Sequence, residues 1–408
     1  MAQTLELVKE ILKDKYLPAF RNQIGIKPSP FLEMIKKTNA TNDTVKAAAT
    51  FGLNGGVGFG VDGSDTPISG PQMYKDFEIG LRNLYCNIEI SDKTIKLGSK
   101  SESSMIDALD REVRSAFDAT NWNLGRALFG DGSGKLCESA GSYNAGATTV
   151  KVDSVKNLKE GMIVDVVRED DGYGISSSLR IIAINRAEKT VTFDNALTGD
   201  FEEGVHILTL QNSYNREITG LGAVMNKAVE VTSAENDYQL YGKSVYQNPW
   251  LKPLTYDATK AVGGGLNDVL ITNAMRDAER DKNGDIDLIM MGDTAFNAYQ
   301  MYMKENNVTI TEQLKFKGGH SGFEVLFGNK TAKVVNESFV PETEVWGVST
   351  KDWKYESTPF DFANENSSTF TLVPGKNYYR ALLTSYGNVI CENPGASFKI
   401  TNCTYSGN

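Results

Sequence analysis

The sequence has few of the residues that build metal-binding or nucleophilic sites. Its 408 residues include only two histidines, His206 and His320, and no HExxH motif or Cys-x-x-Cys pair. With two histidines and no paired cysteines, the sequence has too few ligands for a typical zinc site. Neither histidine lies in a G-x-S-x-G context, so no Ser–His–Asp triad is indicated. We therefore expect no catalytic, cofactor-binding or metal-binding residues, and no cofactor. Four widely spaced cysteines are expected to stay reduced: Cys86, Cys137, Cys391 and Cys403.

Long apolar runs and an excess of basic residues are also missing. No stretch approaches the roughly 18 apolar residues of a membrane span. The N-terminus, MAQTLELVKE, has no apolar core of a secretion signal. The net charge of -10 disfavours a dedicated nucleic-acid-binding protein. It is compatible with a protein that only encloses nucleic acid, and we expect no membrane partner.

Three stretches resemble ligand-binding motifs but fail a necessary test. Residues 58–63 fit G-x-G-x-x-G, yet SDTPISGP follows where a dinucleotide site needs a helix. Residues 130–135, GDGSGK, lack the phosphate-loop spacing and follow a helix instead of starting one. The alternating acids of residues 281–287 resemble the start of an EF-hand loop. The sixth position of that loop requires glycine and here is Ile286, and the twelfth requires an acid and here is Gly292. We interpret all three as loops or turns. Carboxylates are plentiful, but no two are marked as an acid pair of the glycosidase type.

One long amphipathic helix dominates the first third of the chain. Apolar residues recur at a spacing near 3.6, Ser99 and Glu102 fit a capping box, and Gly130 provides a stop. The pattern predicts a helix of about 28 residues, roughly 42 Å long. Its apolar stripe consists of Ile106, Leu109, Val113, Phe117, Leu124 and Leu128. The helix is either a spine against which a sheet packs or an ordinary amphipathic helix of a mixed domain.

The segments before this helix have little local core. Residues 1–38 begin with a short amphipathic helix and then lose regularity at their prolines. Residues 41–75 are rich in glycine and flanked by alternating sequences, which predicts two extended strands joined by a flexible tip. Because a long two-stranded hairpin is poorly stable alone in water, we expect it to rest on a neighbouring molecule.

The segments after the helix change character several times. Residues 137–211 read as short strands between turns, which predicts a compact, inserted all-β module. Asn248-Pro249-Trp250 is predicted to be a local anchor. Residues 266–302 read as helix, strand and helix, and residues 322–408 as mostly strands.

This order of parts resembles the major capsid proteins of tailed bacteriophages with the HK97 fold. The resemblance covers most of the chain outside residues 137–211 and rests on three segments. They are the helix at 101–129, the helix–strand–helix at 266–302, and residues 378–402, which are similar to the paired strands that close the peripheral domain, with a turn near Tyr386-Gly387-Asn388. The implied fold class is α+β, an HK97-like fold with a small all-β insertion.

The resemblance implies a division of the chain into seven parts. They are an N-terminal arm (1–45), an extended loop (46–97), the spine helix with the start of the peripheral domain (98–136), the inserted β domain (137–211), a continuation of the peripheral domain (212–255), the axial domain (256–344) and the peripheral strand return (345–408).

The implied function is that of a non-enzymatic shell protein. Such a protein assembles through pentamers and hexamers into an icosahedral head around double-stranded DNA, and belongs to the virion after assembly in the host cytoplasm. Expected partners are other copies of itself, a separate scaffolding protein, and portal and decoration proteins. Three alternatives stay open: an encapsulin-like compartment shell, a carbohydrate-binding module at 137–211, and a carboxylate-dependent hydrolase.

Overall fold

The computed structural model describes most of the chain and divides it into two compact units. The described residues are 17–18, 21, 28–52, 56–63, 65–68, 70, 73–93, 102–262, 264–306, 310–317, 319–328, 330–362 and 371–404. One unit comprises residues 1–125 and 223–408, and the other comprises residues 126–222. The predicted helix near the N-terminus and the predicted cap Ser99 lie outside the described residues.

The strands fall into three groups along the chain. Before the long helix the structure has β1 (Lys36–Asn39), β2 (Thr44–Phe51), β3 (Met73–Gly80) and β4 (Arg82–Ser91). The second unit has β5 (Lys135–Glu138), β6 (Thr149–Lys151), β7 (Ile163–Arg168), β8 (Gly174–Asn185), β9 (Thr190–Phe193) and β10 (His206–Leu210). The rest of the chain has β11 (Gln239–Leu240), β12 (Lys243–Ser244), β13 (Leu254–Asp257), β14 (Leu288–Met291), β15 (Ile310–Lys315), β16 (Ser321–Phe327), β17 (Lys330–Asn336), β18 (Val345–Val348), β19 (Trp353–Ser357), β20 (Asp361–Phe362), β21 (Thr371–Leu372), β22 (Tyr378–Cys391) and β23 (Phe398–Thr401).

Among the described residues, helices are fewer than strands, and one helix is much longer than the others. They are α1 (Pro30–Met34), α2 (Glu102–Leu128), α3 (Ala228–Glu230), α4 (Asp268–Lys282) and α5 (Asp293–Asn306). A π-helical turn, Ala223–Lys227, precedes α3, and short 3-10 turns include Pro249–Leu251 and Pro394–Ala396. Among the described residues, no helix is both long and apolar enough to span a membrane.

Helix α2 confirms the predicted long helix. It contains 27 residues, about 40 Å at the α-helical rise. The later part of the predicted stripe, at Val113, Phe117, Leu124 and Leu128, is buried. In the first unit, strand β4 runs beside the helix, because Cys86 Sγ lies 3.8 Å from the carbonyl oxygen of Ala116. The helix therefore packs against a sheet, as the spine interpretation predicts.

The predicted helix–strand–helix at residues 266–302 is also confirmed, as α4, β14 and α5. Strand β14 is central in a seven-stranded mixed sheet of order β13-β23-β18-β14-β17-β16-β15. Apolar side chains of α4, α5 and this sheet form one buried core. Tyr299 of α5 donates a 2.6 Å hydrogen bond to Asp268 of α4, which ties the two helices together.

A second sheet of the first unit is built around the long strand β22. Its order is β1-β19-β22-β20, and both β4 and β21 also pair with β22. The turn predicted near Tyr386-Gly387-Asn388 is wrong, since the strand runs through these residues without a break. Residues 378–387 pair with β4, while residues 387–391 pair with β19. Residues 378–391 and 398–401 also do not pair with each other, because β23 joins the seven-stranded sheet.

The second unit is a closed sheet with its own core. The strand order is β5-β10-β7-β8-β9-β6. The two end strands are joined by hydrogen bonds from Ala140 N to Lys151 O (3.1 Å) and from Asp153 N to Glu138 O (3.0 Å). Closing a sheet removes its unpaired edges. Fifteen buried side chains fill the interior. The predicted strands within 137–211 are therefore present, and they form a small β-barrel.

The barrel unit also contains a buried ion pair near its start and end. Arg126 donates two hydrogen bonds to Glu217, of 2.9 and 2.6 Å, and the side chains are 4% and 10% exposed. This bidentate geometry is the strong form of an arginine–carboxylate contact. It joins the first residue of the unit to the segment that follows β10.

Candidate interaction surface

The first unit carries a two-stranded hairpin, formed by β2 and β3, with many exposed side chains. Strands β2 and β3 pair antiparallel in unbroken register, from Thr44 opposite Gly80 to Phe51 opposite Met73. Side chains alternate along the strands, so that Val45, Ala49 and Phe77 are buried, while exposed side chains stand beside them at Lys46, Ala48, Asp76 and Glu78. The prediction of two extended strands is confirmed.

Aromatic side chains anchor the base of the hairpin to the body of the first unit. Trp250 stacks on Phe51, with ring centroids 4.5 Å apart, and on Phe77 at 6.0 Å. Tyr241 contacts Phe77 from another direction at 5.4 Å. Stacked aromatic pairs of this kind add to the free energy gained from burial alone. The predicted anchor around Trp250 therefore holds a specific partner, the hairpin.

Polar contacts fix the end of the hairpin next to β4. Leu81 donates its backbone N–H to the carbonyl of Asp43 at 3.0 Å, which closes the hairpin at its base. Asn388 of β22 donates to the carbonyl of Gly80 at 2.8 Å. The base is thus held by both apolar and polar contacts. The hydrogen bond from Asn388 ties it to β22.

The tip of the hairpin presents apolar side chains to solvent. Phe59 is fully exposed, and Val57, Val61 and Ile68 are more than four-fifths exposed. Soluble monomers rarely expose apolar side chains in such close succession, and such patches mark interaction sites. Strand ends Met73 and Tyr74 are exposed beside them. The hairpin therefore combines a fixed base with an apolar tip that a partner can cover.

The structure uses His206 and the alternating acids as structural residues. The buried ring of His206 accepts a 2.9 Å hydrogen bond at Nδ1 from the N–H of Glu202. Asp287 accepts hydrogen bonds from Thr350 N and Oγ1. Asp285 pairs with Lys330 and Lys351. Within the described residues, no group of His, Cys, Asp and Glu side chains is arranged to hold a metal ion.

The four thiols are free and buried. Burial raises the pKa of Cys86, Cys137 and Cys391, and it raises the pKa of Cys403 to about 12. Thiols that stay protonated in apolar surroundings are poor nucleophiles. They act as small apolar core residues.

Sequence reasoning missed two groups of residues that the fold brings together. Tyr241, which contacts the hairpin, follows no periodic pattern, and only the pairing of β11 with β12 places it there. Lys399, Asn226 and Glu344 are widely separated in sequence but lie in hydrogen-bonding distance. A lysine inside an otherwise apolar strand, FKIT, is the one sequence signal that could have drawn attention to the second group.

Comparison with solved structures identifies the fold. The chain matches a chain of the cyanophage A-1(L) capsid asymmetric unit with a TM-score of 0.55 and 10% identity, covering 93% of this chain and 94% of that one. It also matches the capsid of an empty GTA particle (TM-score 0.46, 8% identity, 93% and 90% covered) and the holo-SrpI encapsulin complex from Synechococcus elongatus (0.45, 8%, 94% and 91%). No family model and no curated protein sequence matches the chain. The chain thus has the fold of a phage capsid chain.

Proposed function

We propose that the chain is the major capsid protein of a tailed bacteriophage, with an HK97-like fold. In this proposal it assembles through pentamers and hexamers into the icosahedral head shell that encloses double-stranded DNA. It is a structural protein of the virion and not an enzyme. The observation that supports the proposal best is the shared fold with the cyanophage capsid chain over 93% of the sequence.

The hairpin supplies a physical reason for assembly. Its apolar tip, at Val57, Phe59, Val61 and Ile68, is exposed in the single chain. Burying apolar side chains gives about 1.5–3 kcal/mol for each large one. In a shell every copy offers one tip and covers another, so that many modest contacts add up. We propose that residues 46–97 are the extended loop that lies on a neighbouring subunit.

The remaining parts of the chain are assigned in the same proposal. Residues 1–45 form the N-terminal arm, 256–344 the axial domain around the symmetry axes, and residues 98–136, 212–255 and 345–408 the peripheral domain. Residues 137–211 form the inserted domain. Scaffolding, portal and decoration proteins are the proposed partners, and assembly takes place in the host cytoplasm. The net charge of -10 fits an inner surface that does not adhere tightly to packaged DNA.

Expression of the full chain, with and without candidate scaffolding proteins, tests the proposal. We expect rings or closed shells by size-exclusion chromatography and negative-stain electron microscopy. Serine at Val57, Phe59, Val61 and Ile68 should reduce shell yield at least tenfold while the subunit stays folded. A matched variant, with serine at the exposed Tyr173 and Ile182 of the barrel, should assemble normally.

The outcomes separate the alternatives. A stable monomer under all conditions contradicts the capsid proposal and favours a binding or hydrolytic protein. Shells that load a folded protein cargo and no DNA favour an encapsulin-like compartment. If the tip variant assembles as well as the parent chain, the capsid assignment stands but the role given to the tip is wrong.

A further inference from the structure

A histidine is buried at one end of the barrel. His206 is the first residue of β10, and it is 4% exposed. Leu208, two residues further along the strand, belongs to the barrel core, so the side chain of His206 points to the same interior. Its ring stacks on that of Phe201, another core residue, with centroids 6.0 Å apart and an interplanar angle of 20°. A ring that can take up a proton therefore lies among apolar side chains.

The hydrogen bond that this ring accepts requires its neutral form. Nδ1 of His206 accepts the backbone N–H of Glu202 at 2.9 Å. A ring nitrogen that accepts a hydrogen bond has no proton of its own, so the single proton of the neutral ring is on Nε2. If Nδ1 takes up a proton, two donors face each other and the N–H of Glu202 loses its acceptor. An unpaired donor at a site shielded from water costs desolvation free energy.

The segment that depends on this hydrogen bond closes one end of the barrel. We call residues 200–205, which lead into β10, the closing loop. Phe201 and Tyr143 exchange two backbone hydrogen bonds, of 2.7 and 2.8 Å. Gly204 donates its N–H to the carbonyl of Ser139 at 3.1 Å. Because Phe201 is fully buried, opening of the closing loop would remove an aromatic side chain from the core.

Charged groups on the elements around His206 are engaged with other partners. Arg168 of β7 lies opposite His206 and pairs with Asp170 and Asp171, both at 3.6 Å. On β5, Glu138 pairs with Lys135 at 2.8 Å. The other charged residues of these elements are Glu169, Asp153 after β6, and Asp200, Glu202 and Glu203 of the closing loop.

A positive charge on His206 would have no counter-ion while the loop is closed. In residues 126–222, all of which the structure describes, the ion pairs leave the ring of His206 without a carboxylate partner. The guanidinium of Arg168, on the same face, opposes a second positive charge. Opening of the loop would give the charged ring access to water. Protonation therefore favours the open loop over the closed one.

We propose that His206 is an acid-sensitive switch, which keeps the closing loop shut at neutral pH and lets it open at mildly acidic pH. Histidine is the side chain that ordinarily changes charge between about pH 5 and pH 8. Because the open form binds one proton more than the closed form, a fall in pH shifts the equilibrium towards opening. The switch belongs to the barrel unit and does not depend on the proposed capsid function.

Hydrogen exchange of the full-length protein at pH 7.5 and pH 5.5, followed by mass spectrometry, tests the switch. After correction for the intrinsic pH dependence of amide exchange, we expect amides of the closing loop to exchange at least roughly tenfold faster at pH 5.5. Amides of β8, in the same unit, should change less than about twofold. Equal protection of the closing loop at the two pH values would overturn the proposal.

Two histidine variants assign the effect to one ring. His206→Asn places an amide oxygen near the position of Nδ1, where it accepts the same hydrogen bond but takes up no proton in this range. Exchange of its closing loop should therefore not respond to pH. His320→Asn removes the other histidine of the chain, and this matched control should respond like the parent. An unchanged acid response in His206→Asn would contradict the proposal.

NMR of the parent chain with ¹⁵N-labelled histidine gives a test that does not depend on the folding of His206→Asn. The chain has only two histidines, and the spectrum of His320→Asn assigns their ring signals. At pH 7.5 we expect Nδ1 of His206 to be unprotonated and Nε2 to be protonated. Both nitrogens should be protonated at pH 5.5, over the same pH range in which the closing loop opens. A proton on Nδ1 at pH 7.5 would overturn the proposal.

Discussion

At the scale of single residues, several charged side chains near the end of α4 are held by specific partners. Asp285 lies 2.7 Å from Lys351 and 3.0 Å from Lys330, and Lys330 also pairs with Glu279 at 3.0 Å. Hydrogen bonds from the two lysines lower the pKa of Asp285. Asp285, one of the acids that alternate like a calcium loop in the sequence, thus belongs to an ion-pair network between α4, β17 and the turn before β19.

Replacing Asp285 by Asn is expected to destabilise the first unit in a pH-dependent way. Because the folded pKa of Asp285 is below its unfolded value of about 3.8, its stabilisation is present above that pH and disappears as pH falls through the folded pKa. Asp285 and Lys351 are more than half exposed, so we expect a loss of only about 0.2–1 kcal/mol at pH 7. Urea unfolding from pH 7 to pH 3 measures it. Asp76→Asn, at an exposed position on β3, is the control, and a difference that stays constant over this range would contradict the assignment.

At the scale of elements, the long strand β22 organises the first unit. It changes partner from β4 to β19 at Gly387, which pairs with both Arg82 and Ser357. A Cβ atom added at Gly387 would lie 2.7 Å from Cβ of Ser357 and 3.0 Å from the hydroxyl of Tyr355. Glycine is thus needed here for the close approach of a neighbouring strand. The same residue type suggested a turn from the sequence alone.

Gly387→Ala is therefore expected to destabilise the first unit by about 1–3 kcal/mol, as overpacking of a tight site does. Thermal or urea unfolding of the full chain measures the change. Gly80→Ala is the matched control, because nothing lies within 4 Å of its added Cβ atom, and it should change stability by less than about 0.5 kcal/mol. Equal effects of the two substitutions would mean that close strand approach does not explain Gly387.

At the scale of the whole molecule, the two units differ in how they bury apolar surface. The barrel unit has a closed sheet and its own core. The first unit carries a hairpin whose tip is apolar and exposed. One unit is complete as a single chain, and the other offers surface that another molecule can cover.

Residues 126–222, produced alone, are expected to fold. Their core and their closing hydrogen bonds lie within the segment, so no edge is left unpaired by excision. Dispersed amide signals in NMR and a single cooperative unfolding transition would support this expectation. A spectrum typical of an unfolded chain would show that the barrel depends on the rest of the protein.

Local patterns in the sequence were sufficient to predict those helices and strands that depend mainly on their own residues. The 3.6-residue spacing predicted α2, and the helix–strand–helix reading of residues 266–302 predicted α4 and α5. Alternating stretches predicted β2 and β3, and short strands between turn signals predicted the strands of the barrel. The turn at residues 386–388 was wrong because glycine and asparagine favour turns locally, whereas in the fold a neighbouring strand requires the glycine. The boundaries between the seven proposed parts of the chain remain predictions, since no local pattern marks where one core ends and another begins.

The sequence by itself determined the order of helices and strands, the shortage of metal-binding and nucleophilic residues, and the glycine-rich tip of the hairpin. These properties follow from composition and short-range periodicity. Only the tertiary structure decided that the barrel closes, that Trp250 holds the base of the hairpin, and that Lys399 meets Asn226 and Glu344. Such contacts join residues far apart in the chain, and their geometry depends on strand register and packing, which no single segment encodes.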